Sequence, residues 1–166
     1  SGYWEKEKEQ TGDEKKSRIL VTHYFVTDSG REPELSDSEA TIHVGSLDNV
    51  DASVFEGFDY VALGHIHKKQ QIGQRPVYYA GAPLKYSFGE AGSIKGMLLV
   101  TVGDEGLKRV EELPLTPLHD MRKIKGTLQE LLKQGREEGE KALDYVQACL
   151  TDEGELIDPM ETLRSV

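Results

Sequence analysis

The chain has 166 residues, enough to bury a core without disulfides or a structural metal, and its lone cysteine, Cys149, excludes a disulfide framework and a cysteine-rich zinc module. A net charge of −10 argues against a general nucleic-acid binder. No apolar run approaches the ~18 residues of a membrane span and no signal-peptide pattern opens the chain, so a soluble cytoplasmic protein is the expectation.

Residues 1–17, SGYWEKEKEQTGDEKKS, are polar and mixed in charge, and read as a frayed helix or loop leading in to the fold. There is no initiator methionine, and the first strong strand pattern, RILVTHYFV, starts only at Arg18. The chain is therefore expected to be part of a longer protein. A polar, turn-rich passage follows, in which ATIHV is a short strand candidate and Gly30, Pro33 and Gly45 mark breaks. DASVFEGF reads as a short helix capped by Asp51, with Val54, Phe55 and Phe58 on one face.

Strands then come in quick succession: DYVALGH, VYYAGA, GMLLVTVG and LKRVEELPL. VGDEG between the last two predicts an antiparallel hairpin. The texture changes at Pro114–Pro117, where a domain boundary is expected. Beyond it, TPLHDMRKIKG leads into the amphipathic helix candidate TLQELLKQGREEGEKA and the alternating strand DYVQACLTD, in which Cys149 is expected to be buried.

Charge is unevenly spread along this order. Residues 19–60 carry one basic and nine acidic side chains, whereas residues 61–103 carry five basic and one acidic. The basic segment suits an anionic substrate, although a solvated surface accounts for four excess charges equally well. It also holds a pair of histidines. In DYVALGHIHKK a buried-strand pattern ends in His65, one spacer and His67, just as ILVTH ends in His23.

Ligands of α/β sheets gather outside the carboxyl ends of strands, so two neighbouring strands ending this way would bring His23 and His65 together. Gly64 permits a sharp turn or a close approach just before the pair. Three imidazoles suit Mn, Fe, Zn or Ni and make most of a metal site. The missing part is a carboxylate to offset the charge of two cations: Asp28, Asp37 and Asp59 are available, but none ends a strand. A lone His-x-His is equally at home on a plain surface, and His43 and His119 are expected to be surface or hydrogen-bonded histidines. No nucleophile elbow, P-loop or strand-borne GxGxxG offers another chemistry.

The combination of GHIH after DYVAL, ILVTH upstream and YYAGAPLKYSFGEA downstream resembles the SbcD family of exonuclease subunits, which are calcineurin-like metallophosphoesterases related to the Mre-type DNA-repair nucleases. The resemblance runs from about Arg18 to the end, through SDSEATIHVGSLDNVDASVFEGFDYVALGHIH and LPLTPLHDMRKIKGTLQELL. It implies an α/β fold: residues 18–116 as the C-terminal half of the metallophosphoesterase sandwich, and 117–166 as part of a small α+β capping domain.

It implies further that His23 and His65 bind one ion of a dinuclear Mn2+ centre and His67 the other. The Asp, Asn and further His ligands of the family's first three motifs lie nearer the N-terminus and are not in this sequence, which accounts for the missing carboxylate. Tyr24 and Ala82 depart from the glutamine and serine expected there, but neither replaces a ligand. The implied activity is that of an ATP-dependent double-strand exonuclease and single-strand endonuclease, processing hairpins and DNA ends in repair, recombination and replication. The implied partners are DNA, an SbcC-type ATPase and a second copy of the complete subunit.

Lys68, Lys85, Tyr86 and Ser87 are the expected DNA contacts, with Lys69 and Arg75 bordering the backbone. The alternatives are a non-catalytic module docking DNA or a partner, and a general phosphomonoesterase.

Overall fold

The β-branched and aromatic run Ile19–Thr27 forms two strands that belong to different sheets. The computed structural model describes residues 16–36, 39 and 49–166. Strand β1 (Ile19–Thr22) pairs in parallel with β4 (Tyr60–Leu63), which pairs in parallel with β6 (Val77–Tyr79); β5 (Gln70–Gln71) closes antiparallel on β6. The order of this four-stranded sheet is β1-β4-β6-β5. Strand β2 (Phe25–Thr27) instead pairs in parallel with β3 (Asn49–Asp51).

The break between β1 and β2 falls at His23 and Tyr24, and its cause lies elsewhere in the chain. The hydroxyl of Tyr79, a residue with no exposure, donates to the Tyr24 carbonyl at 2.8 Å and accepts the Val26 N–H at 2.7 Å. The continuous strand expected from RILVTHYFV is thus corrected to two, because one buried phenol satisfies the backbone that leaves the first sheet.

Phe25 and Val26 then meet Val61, Leu63, Val77 and Tyr79 in one buried cluster with Ala52, Ile66 and Ile72. Each fully buried aliphatic side chain there contributes on the order of 2 kcal/mol. Asp51 caps the following turn as expected, accepting the Ser53 N–H at 3.0 Å. That turn, Ala52–Phe55, is a 3-10 helix, and its period of three puts Ala52, Phe55 and Phe58 toward the core. Val54, expected on the same face, is 62% exposed.

Strands β7 (Gly96–Gly103) and β8 (Gly106–Pro114) form the antiparallel hairpin that VGDEG predicts. Behind it stands a β-α-β unit. Strand β9 (Met121–Gly126) runs parallel to β10 (Tyr145–Leu150), joined through helix α1 (Leu128–Glu137) and a 3-10 turn, Gly139–Leu143. The Thr127 side chain accepts the Glu130 N–H while the Glu130 carboxylate accepts the Thr127 N–H, a reciprocal cap that starts the helix.

Leu131 is buried and Leu128, Leu132, Gly135 and Glu138 half-buried, the spacing of one helix face. Glu138 there receives the Arg122 guanidinium of β9, with Arg122 Nη1 at 2.8 Å from Oε1. A short helix, α2 (Pro159–Leu163), packs against α1. Cys149 is exposed, a correction with a simple cause: Ala148 and Leu150 alternate with it and line the face toward α1 and α2.

The architecture is mixed α/β, as expected. The lead-in residues up to 15, the strand candidate ATIHV, His43 and Asp37 lie outside the described residues. Among those described, no helix is long and apolar enough to cross a membrane.

Candidate functional site

Parallel pairing with Thr22 opposite Leu63 and Leu63 opposite Tyr79 brings the carboxyl ends of three strands level. His23, Gly64–His67 and Gly81–Tyr86 therefore leave the sheet side by side, and the Gly64 N–H continues the ladder to the Thr22 carbonyl at 2.9 Å. The rings of His23 and His65 lie 5.3 Å apart, edge to face at 80°.

Gly64 permits this closeness: a Cβ at that position would sit 2.5 Å from His23 Nδ1. His65 adopts a φ of +90°, backbone that costs a non-glycine residue on the order of 1–3 kcal/mol and that clusters at functional sites. His67 follows with its imidazole 4.8 Å from the Tyr86 ring, stacked at 29°. Gly81, at φ +79°, lets the third strand's exit pass directly over this loop, since a Cβ there would sit 2.9 Å from the Lys69 nitrogen.

These residues surround an open cavity of about 430 Å³, whose lining includes His23, Glu39, His65, His67, Gly81 and Tyr86. Glu39 is the member that sequence reasoning missed. It is 7% exposed, and its carboxylate accepts the Ser36 N–H at 2.8 Å, the Ser36 hydroxyl at 2.7 Å and the His67 N–H at 2.7 Å. Burial alone would raise this carboxyl, but the hydrogen bonds from Ser36 and His67 outweigh it and hold the group below its ordinary value. The Ser-x-x-Glu spacing of Ser36 and Glu39, a turn-capping signature, was the available signal.

The two described aspartates of the three are used elsewhere: Asp59 accepts the Arg18 N–H at 2.7 Å at the start of β4, and Asp28 lies 4.0 Å from Arg75 Nε. Among the described residues, no three His, Cys, Asp or Glu side chains converge closely enough to hold an ion. The donor chemistry fits the histidine share of a metal centre, two neighbouring imidazoles and a third on the same rim, and does not complete one.

The expected DNA contacts fare differently. Lys68 and Lys69 are exposed and paired with Glu34 and Glu112, and Tyr86 is 62% exposed. Lys85 is turned inward. Its side chain is 10% exposed, and its ammonium binds Asp120 at 2.8 Å and the carbonyls of Ala91 at 2.9 Å and Met121 at 3.4 Å. A carboxylate and two carbonyls thus surround this one cation. Ser87 is half-buried, and its N–H donates to Glu90 at 3.2 Å.

Residues 117–166 match the family described as Type 5 capsule protein repressor C-terminal domain, SbcD_C. Over 154 residues, 93% of the chain, the sequence is 30% identical to the SbcD component of the SbcCD nuclease of Staphylococcus epidermidis, and the chain spans 40% of that relative's length. Strand-end histidines shared by two parallel neighbours, the Gly-His-x-His turn and both similarities agree: the chain belongs to the SbcD family.

Proposed function

We propose that the chain supplies the histidine-bearing part of a metal-dependent nuclease, the SbcD component of an SbcCD-type complex. Its parallel sheet would be the C-terminal part of a metallophosphoesterase sandwich, with residues from 117 onward as part of its cap. The observation that carries this reading is the pairing of His23 and His65 at the ends of adjacent parallel strands, 5.3 Å apart, with His67 on the same rim. His23 and His65 would hold one divalent cation and His67 a second, Mn2+ being the ion that the family resemblance implies. Bound there, such ions supply Lewis-acid stabilisation of charge on the phosphate oxygens during hydrolysis.

The chain's own residues do the positioning. The strained His65 backbone and the close approach at Gly64 aim two imidazoles into one space, and Tyr86 braces the third. Lys68 and Lys69 line the approach. Their pairs with Glu34 and Glu112 are exposed and therefore weak, so a DNA phosphate can compete for either ammonium. Lys85 takes no part in this contact. DNA and an SbcC-type ATPase are the partners this role requires, and repair and recombination its setting.

The test uses the intact protein assembled with its ATPase. His67→Ala should nearly abolish Mn2+-dependent cleavage while leaving the salt dependence of DNA binding unchanged. Lys68→Ala should retain most turnover and reduce the salt slope by about one unit. Near-normal turnover of His67→Ala at saturating Mn2+ would show that Gly-His-x-His is not a metal motif in this protein.

A further inference from the structure

Two oppositely charged side chains, neither of them in the histidine loop, grip the main chain of a single residue within it. The Glu39 carboxylate accepts the His67 N–H at 2.7 Å. The His67 carbonyl accepts the Lys95 ammonium at 3.1 Å and the Ala82 N–H at 3.1 Å. Both peptide planes flanking the His67 Cα are thereby held, and with them its φ and ψ. Lys95 is also ion-paired with Oε1 of Glu90, and these side chains are 11% and 6% exposed. The second oxygen of Glu90 accepts the N–H groups of Tyr86 at 2.7 Å and Ser87 at 3.2 Å. One buried pair thus reaches from the His67 carbonyl to the main chain beneath the ring that stacks on the His67 imidazole.

Stability alone does not explain this arrangement. Burying two carboxylates and an ammonium carries a desolvation cost that a water-satisfied loop would avoid, and such pairs contribute little net stability compared with apolar packing. What three buried charges around one residue do supply is a single geometry.

We propose that Glu39 and Lys95 are positioning residues for His67, fixing its backbone from both sides and, through Glu90, the Tyr86 ring that braces its imidazole. This rests on the reading of His67 as a cation ligand and deepens it: the ligand's direction is set from outside the Gly-His-x-His segment.

The experiment follows the imidazole resonances of His67 by NMR in the intact protein, where the Tyr86 ring current marks the stacked position, with Tyr86→Ala as the reference for its loss. Glu39→Ala and Lys95→Met should move the His67 lines toward that reference and leave His23 in place. Glu39→Gln, which keeps an acceptor oxygen, and Lys95→Arg, which keeps a cationic donor, should restore them. Val61 and Val77 methyl signals report the core, and if one variant loses them the other decides.

Unmoved His67 lines in both variants with the core intact would overturn the proposal. So would loss of the core signals in both, because the charges would then hold the core and not the loop. Mn2+ added as a paramagnetic probe should broaden the His67 lines in the wild type, and Glu39→Ala should need about ten-fold more of it. No broadening at His23, His65 or His67 in the wild type would remove the cation reading, while the ring-current comparison would still judge the positioning.

Discussion

Replacing Tyr79 by phenylalanine removes one oxygen from the centre of the molecule and tests why the chain changes sheets at His23. The ring keeps its place among Val26, Val61 and Val77, so no cavity opens, and the change isolates the hydroxyl. That hydroxyl holds two backbone groups. The Val26 N–H belongs to a residue with no exposure and has no water to turn to, so leaving it unpaired costs about 1–3 kcal/mol. The Tyr24 carbonyl lies beside a side chain that is 52% exposed and can take a water instead, adding little.

A loss of about 2 kcal/mol, divided by a urea dependence of about 2 kcal/mol per molar for a domain of this size, lowers the unfolding midpoint by about 1 M without changing the slope. Burial pushes the ionisation of Tyr79 up to about 12, so the group keeps its donor proton across the whole range in which the titration is run. Tyr145→Phe, at a ring that is 62% exposed, is the control and should shift stability by less than about 0.5 kcal/mol. A Tyr79→Phe midpoint no lower than that of the control would refute the claim that this phenol secures the strand exit.

Gly64→Ala should leave the core folded but push the His23 ring aside, since the new Cβ falls 2.5 Å from Nδ1; Mn2+ affinity measured by calorimetry should fall about ten-fold. The Arg122 guanidinium holds the Glu138 carboxyl below its ordinary value, so the stabilisation it brings is complete above the usual carboxylate range and disappears as pH falls through the depressed folded value. Melting temperatures followed into acid should therefore drop less steeply for Arg122→Gln than for the wild type. The 166-residue chain alone should show no appreciable DNA cleavage with Mn2+, because three neutral imidazoles do not balance two dications; robust cleavage by purified chain, abolished by His65→Ala, would contradict this.

What the sequence made legible was whatever local pattern controls. Alternation and turn residues placed β4, β6 and the β7–β8 hairpin, the amphipathic pattern of TLQELLKQ announced a helix, and strand ends carrying His23 and His65 pointed to their meeting. Contacts made over long separations were hidden. Nothing near His23 marks a break, because the group that secures it, the Tyr79 hydroxyl, lies 55 residues away from Tyr24.

Glu39 looks like one more acid in a polar turn until the fold brings it to the His67 N–H, 28 residues away. Lys85 reads as a surface cation for the same reason, and its acceptor Asp120 is 35 positions distant. Strand β9 was obscured by its own half-exposure: Arg122, Lys123 and Lys125 dilute the pattern that Ile124 would otherwise reveal.

The Lys85–Asp120 contact also bears on how freely this protein can be recombined. Asp120 opens the β-α-β unit, and Lys85 sits one residue before the tyrosine that stacks on His67. A chimera that exchanged everything after Pro117 for a foreign unit would have to bring a carboxylate to that same place, or leave a buried ammonium with only carbonyl oxygens for company. The two stretches are matched through this contact, and a swap that ignored the match would be felt first in the histidine loop, well away from the splice.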